Sequence, residues 1–271
     1  MGADIKSLRN RIKSVKSTLH LTKAMGLVAS SKIRRAQEAR IKSLEYASAL
    51  GSVVDILSSS QECAKSPYLN TPEGTEGKAK VIVIAGDRGL AGGYNVNVFR
   101  FVRDLGDVEI YPIGKKACER YGQKICSSEH FSYSDAHKLA MELCEDFKSG
   151  RYTKIGIVCT KYVSMISQEP YINWLLPLTK NEGQNKAGAV FEPDEITILE
   201  RSVPIFVAGI IYASTRESFA CEVVARRSAM DSAGKNANTM IDNLQLEYNR
   251  ARQGAITQEI TEIVAGSGDG H

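Results

Sequence analysis

Proline is scarce: 7 in 271 residues, none before Pro67 and none after Pro204. Long helices at both ends therefore meet no breaker. Aromatic residues make up 7%, with one tryptophan, which is thin for a single large globular core. The six cysteines (Cys63, Cys118, Cys126, Cys144, Cys159, Cys221) form no C-x-x-C pair and have no histidine at ligand spacing. That excludes a zinc ribbon and a disulfide framework, and leaves scattered buried thiols in a reducing compartment. Four histidines stand far apart, so no Ser-His-Asp or Cys-His arrangement follows from spacing. No secretory segment or long uninterrupted apolar run is present, so a soluble protein is expected. Acids are few at the start. Residues 1–45 carry 11 basic side chains against Asp4, Glu38 and Glu45, a local charge of +8 in a chain of +4 overall. Such a segment suits acidic partners, or is simply a solvated helix face.

What the sequence has is period. Ile5, Leu8, Ile12, Val15, Leu19, Thr22, Gly26, Ala29, Ile33 and Ala36 step by three and four without a break. This is an a/d seam, predicting one helix from about Asp4 to Ser58–Ser60. At the other end, Ser202 before Val203-Pro204 reads as an N-cap with proline in the first turn. The seam there runs Met230, Ala233, Ala237, Met240, Leu244, Glu247/Tyr248, Ala251, Ala255, then Ile256, Ile260 and Ile263. Each helix would be on the order of 80–90 Å long and neither can bury its stripe alone. The two are expected to pair with each other as an antiparallel left-handed coil.

The middle alternates. Val81–Ala85, Val108–Ile113 and Ile155–Thr160 read as strands. Val96–Leu105, Lys115–Gln123 and Ser134–Lys148 read as helices, the last opened by Ser134/Asp135. Ser164–Leu178 reads as extended, with Trp174 its aromatic anchor on the sheet. Strand–helix order implies a mostly parallel sheet. Residues 65–79 and 180–195 read as polar connections. The fold class is α/β: a long antiparallel coiled coil plus a central Rossmann-like domain, divided as 1–60, 61–200 and 201–271.

The turn Gly86-Asp87-Arg88-Gly89-Leu90-Ala91-Gly92-Gly93-Tyr94-Asn95 follows the first strand. Glycine turns there can cradle phosphate. This one has neither the Gly-Lys-Ser/Thr ending of a Walker loop nor G-x-G-x-x-G, and a tight turn with an exposed Arg88 is the simpler reading. The pair Glu259 and Glu262 reads as a solvated or partner-facing surface. No catalytic, cofactor-binding or metal-binding residue is assigned. The run Ala251–Val264 is apolar on one side, with Arg, Gln and Thr on the other, as in a helix tip made to be enclosed. Two rival readings are a basic coiled coil that binds nucleic acid and a nucleotide-binding enzyme using the glycine turn. The first lacks stacking aromatics, and the second lacks placeable metal ligands.

Several strings stand out together: Ile12-x-x-Val15, Leu21-Thr22-Lys23-Ala24-Met25 and Val28-Ala29-x-x-Lys32, then Asp87–Asn95. Ala229-Met230-Asp231, Asn236-Ala237, Arg252-Gln253 and Ile256-Thr257-Gln258-Glu259-Ile260 follow near the end. On these, and across nearly its whole length, the chain resembles the gamma subunit of F-type ATP synthases. Ala91 stands where many members carry cysteine, and the tail Gly266–His271 is more polar than usual. No Cys-bearing insertion like the chloroplast redox switch is present. The chain opens directly on its helix, which favours a bacterial chain over an organellar precursor. The resemblance implies a non-catalytic central rotor shaft without cofactors, partnered by the alpha and beta subunits, epsilon and the c-ring. It would sit peripherally at the cytoplasmic face of the bacterial membrane, without inserting into the bilayer or binding nucleic acid. It implies beta-subunit contacts by Lys23, Met25, Arg88, Arg252, Gln253, Thr257 and Gln258. Phe191, Glu192 and Asp194 would belong to a foot meeting the c-ring and epsilon.

Overall fold

The computed structural model describes residues 2–70, 78–165, 167–179 and 191–268, with backbone alone for 2, 3 and 265–268. Most of the two expected polar connections and the end of the polar tail lie outside the described residues. The first helix, α1, is Gly2–Ser58. After a 3-10 turn at Glu62–Lys65 come β1 Ala79–Ile84, α2 Tyr94–Arg103, β2 Val108–Ile113 and α3 Lys115–Tyr121. They are followed by α4 Tyr133–Lys148, β3 Ile155–Tyr162, β4 Gln168–Leu176 and α5 Glu195–Gly268. The chain divides into two compact units: Met1–Ala29 with Arg227–His271, and Ser30–Arg226. These boundaries fall inside α1 and α5, because each helix lines a seam over one stretch and a globular core over the other.

In the first unit α1 and α5 run antiparallel. Gly26 faces Met230, whose Cβ lies 3.6 Å from where a glycine Cβ would be, and Gly234 faces Leu19 and Thr22. The Arg227 Nη1 donates to the Gly26 carbonyl at 3.1 Å. Leu19, Thr22, Ala29, Met230, Ala237 and Leu244 are buried, at the heptad positions that the seams require. One position differs from expectation. Met240 is 50% exposed, and Ile241 is half-buried in its place. The seam therefore runs Ala237, Ile241, Leu244, Tyr248, Ala251, Ala255. Both neighbours are apolar, so period alone did not separate them.

The second unit is a sheet ordered β2-β1-β3-β4. β1 is parallel to β2 and β3, and β4 is antiparallel to β3. Side chains alternate between faces. Ile82, Ile84, Ile155 and Ile157 join the large core with Leu57 of α1, Leu143 and Phe147 of α4, and Leu199, Val203, Val207 and Ile211 of α5. Val81, Val83 and Val158 join α2 and α3 through Val98, Val102 and Ala117 on the other face. Trp174 covers Gly156, where a Cβ would come within 2.7 Å of its ring, yet it remains 42% exposed. It lies on the sheet as expected, with part of its ring open to solvent.

Two helix starts differ from the sequence reading. α4 is capped by Ser132, one turn before Asp135, and the two residues form a reciprocal capping box; the S-x-x-D spacing carries this signal. α5 begins at Glu195, not Ser202. Asp194 caps it, accepting from Thr197 N and Thr197 Oγ1 at 2.8 Å each, and Pro204 lies inside the helix. An internal proline costs about 3 kcal/mol. Full burial of Leu199, Val203 and Val207 on both sides of it offsets that cost at roughly 1.5–3 kcal/mol per side chain. The same segment makes α5 long and apolar enough to cross a membrane by length and composition. Here that apolarity fills the core.

Candidate functional site

The glycine turn after β1 is occupied from within. Glu222 of α5, 1% exposed, accepts from the backbone N–H of Asp87 at 3.3 Å and of Arg88 at 3.2 Å. Its carboxylate lies against Gly86, where a Cβ would come within 2.7 Å of its carbon. Arg226, one helical turn on, pairs with Glu222 and donates to the carbonyls of Arg88 and Gly89 at 3.3 Å each. Gly86 N donates to Asn95 Oδ1 at 2.9 Å. The amides that would cradle a phosphate thus already hold a carboxylate. The tip faces outward: Arg88 is exposed, and Leu90 is 61% exposed at φ 61°, a conformation that costs a branched side chain energy.

Asp87 turns inward. Its carboxylate accepts from Lys115 N at 3.0 Å, Ser127 Oγ at 2.7 Å, and Ser128 N and Glu129 N at 2.9 Å each. Arg216 holds the same loop from the other side, donating to the carbonyls of Ser128 (2.6 Å), Phe131 (3.0 Å) and Glu129 (3.2 Å). Burial alone would raise the Asp87 carboxyl, but the bonds from Glu129, Ser127, Lys115 and Ser128 outweigh it and hold it below its ordinary value. The unfolded chain therefore binds this proton more readily. The carboxylate's contribution is full above the unfolded pKa of about 3.9 and is lost as pH falls through the lower folded value. Asp87→Asn is expected to cost about 1–3 kcal/mol at neutral pH. It should also flatten the acid limb of stability below about pH 4, read by urea unfolding across pH.

The coil contributes two more expected positions. Lys23 is exposed and Met25 half-buried on α1, next to the turn where Arg227 joins Gly26 and Asp231. At the far end, the register carries the start of α1 to the level of about Gly254, where a Cβ would meet nothing within 4 Å. Beyond it no described residue of α1 runs beside α5. Arg252, Gln253, Thr257 and Gln258 are exposed. Thr257 Oγ1 donates to the Gln253 carbonyl at 2.9 Å, and Gln258 Nε2 to Glu262 at 2.8 Å. Ile256, Ile260, Ile263 and Val264 are 46–71% exposed. Of the three residues expected in a foot, two have work inside the fold. Phe191 packs against the large core and Asp194 caps α5, while Glu192 points to solvent. Among the described residues no three His, Cys, Asp or Glu side chains converge to hold a metal.

A family model described as ATP synthase matches residues 4–268. The ATP synthase gamma chain of Geotalea daltonii is 39% identical, with 98% of each chain covered. The chain belongs to the ATP synthase gamma family. A relative from Acetobacterium woodii, named as sodium ion specific, is 35% identical over 98% of this chain and 99% of its own. Among solved structures, a chain of the Euglena gracilis mitochondrial ATP synthase superposes with a TM-score of 0.70 at 18% identity, covering 98% of this chain and 94% of that one. It shares the fold.

Within this gamma chain, Glu222, Arg226, Asp87 and Arg216 carry no role in the sequence reading. The Glu222–Arg226 spacing of one helical turn was visible as an ion-pair signal. That Glu222 is buried, amid Cys221, Val223 and Val224, was not.

Proposed function

We propose that this chain is the central rotor shaft of an F1Fo ATP synthase, non-catalytic by itself. It couples ion flow through the membrane sector to ATP synthesis or hydrolysis in a hexamer of alpha and beta subunits. The unaccompanied tip of α5 carries the reading. A helix end with Ile256, Ile260, Ile263 and Val264 in water loses apolar burial worth roughly 25 cal/mol per Å² until a sleeve encloses it. Arg252, Gln253, Thr257 and Gln258 supply hydrogen bonds to such a sleeve. Lys23, Met25 and Arg88 contact beta-subunit loops, the two cations through acidic side chains. Phe191, Glu192 and Asp194 lie in the foot that meets the c-ring and epsilon. The complex lies at the cytoplasmic face of a bacterial membrane.

A single asymmetric shaft in a pseudo-threefold ring presents a different face to each beta subunit. Each face favours a different open or closed state through differential contact, and turning the shaft cycles the three sites. The filled glycine turn supports a chain that itself binds no nucleotide.

The test is reconstitution with alpha and beta subunits. One copy per hexamer and faster multi-site ATP hydrolysis than alpha and beta alone are expected. A folded, species-matched chain that neither joins the hexamer nor alters turnover sinks the reading. In the assembled complex, Arg252→Ala with Gln253→Ala should lower ATP synthesis about tenfold, the scale of one or two lost charge-assisted bonds, while leaving the circular dichroism of the chain unchanged. Unaltered synthesis and hydrolysis would count against those contacts.

A further inference from the structure

Inside the unit Ser30–Arg226 lies an ion pair that the proposed contacts do not use. Arg40 Nε of α1 meets Glu217 Oε1 of α5 at 3.3 Å, with side chains 19% and 7% exposed. The same Glu217 oxygen accepts the backbone N–H of Tyr162, the last residue of β3, at 3.2 Å. The Arg40 guanidinium stands 4.9 Å over the centre of the Tyr162 ring, and its Nη1 donates to Gln37 at 3.3 Å. The first helix, the last helix and a central strand thus converge on one carboxylate oxygen.

The buried residues nearest the pair are small. Ala36 and Ser43 are buried on α1, and Ala213, Ser214 and Ala220 on α5. Apolar burial resists separation but is non-directional, and small side chains interdigitate less than large ones, so they oppose sliding less. A hydrogen bond weakens steeply with misalignment, and a charge-assisted one is about twice as strong as a neutral one. A torsional load shears neighbouring helices along their axes, so directional bonds across the seam are what oppose it. We propose that Arg40 and Glu217 are positioning residues forming a torsional clamp, which makes the two helices and the sheet turn together under load. This rests on the rotor reading.

The test uses the complete F1Fo complex in vesicles, comparing ATP hydrolysis without an ion gradient to ions pumped per ATP against a gradient. Arg40→Met keeps the apolar stem and removes the bonds. It is expected to leave unloaded hydrolysis within about twofold and to lower pumping per ATP about threefold, the scale of a partly buried pair. Arg40→Lys keeps a cation on a long stem but not the guanidinium's further bond to Gln37, and should restore part of it. Glu217→Gln keeps the accepting oxygen without its charge and should lower pumping per ATP by less than Arg40→Met does, and the double variant should be no worse than Arg40→Met alone. Unchanged pumping per ATP in Arg40→Met overturns the clamp. So does a parallel fall in assembly, unloaded hydrolysis and pumping, which marks a plain folding contribution. If the wild-type chain does not enter the hexamer, the rotor reading fails first and takes the clamp with it.

Discussion

Gly114→Ala is expected to destabilise the α/β unit by more than about 4 kcal/mol and to lower its unfolding midpoint steeply. Gly114 sits between β2 and α3 at φ +97°, a conformation that L side chains rarely adopt. A Cβ there would lie 1.9 Å from the Ala85 carbonyl oxygen and 2.8 Å from its carbon. The obstacle is backbone, and it is fixed in place: Ala85 N donates to the Ile113 carbonyl at 2.9 Å, and Gly86 leads straight into the turn that Glu222 fills. Neither strand can retreat without breaking the register of β1 on β2. Backbone strain of about 1–3 kcal/mol adds to that clash. The sum should exceed 4 kcal/mol, a large share of the 5–15 kcal/mol that holds a domain together. Thermal unfolding followed by circular dichroism reads it directly; a midpoint within a few degrees of wild type would contradict the geometry.

Glu222→Ala is expected to cost about 3–5 kcal/mol, the penalty for leaving a buried ion-pair partner alone. Arg226, 11% exposed at its side chain, loses its carboxylate, and the amides of Asp87 and Arg88 lose their acceptor. Glu222→Gln keeps the shape and one acceptor but turns an amide N–H toward a guanidinium. It should fall between the two, at about 2–3 kcal/mol. Because these bonds shape the turn that presents Arg88 and Leu90, both variants should also raise amide hydrogen exchange across Asp87–Leu90 before the rest of the sheet. Equal protection in variant and wild type would show that the turn holds itself.

The parts of this architecture legible in the sequence are those written in period. Leu19, Thr22, Ala29, Ala237 and Leu244 repeat where a helix pair needs them, and the β-branched runs of β1 and β3 announce a covered sheet. Errors arose where a local signal competed with a distant one. Ser202 and Pro204 together look like a helix start, but Leu199 is already in the core, and only the tertiary fold says so. Ser132 lost to Ser134/Asp135 because a cap and its N3 partner look alike until the bonds are seen. Glu222 was silent for a deeper reason. A carboxylate on a helix reads as solvated, and what desolvates it is a loop more than 130 positions earlier. The tip of α5 was legible because its stripe continues past the point where the first seam runs out.

Both compact units are closed by α5, the last element of the chain. A ribosome releases the chain from its N-terminus, so α1 emerges with its seam bare and its partner unmade. The sheet follows, with all its strands in hand but without the helix that carries Leu199, Val203, Val207 and Ile211 into its larger core. The larger unit cannot close until α5 is made as far as Arg226, and the smaller one only after the stretch of α5 that follows. A nascent chain of this protein therefore spends most of its synthesis time with both units open, and a message truncated before α5 would encode neither of them in closed form.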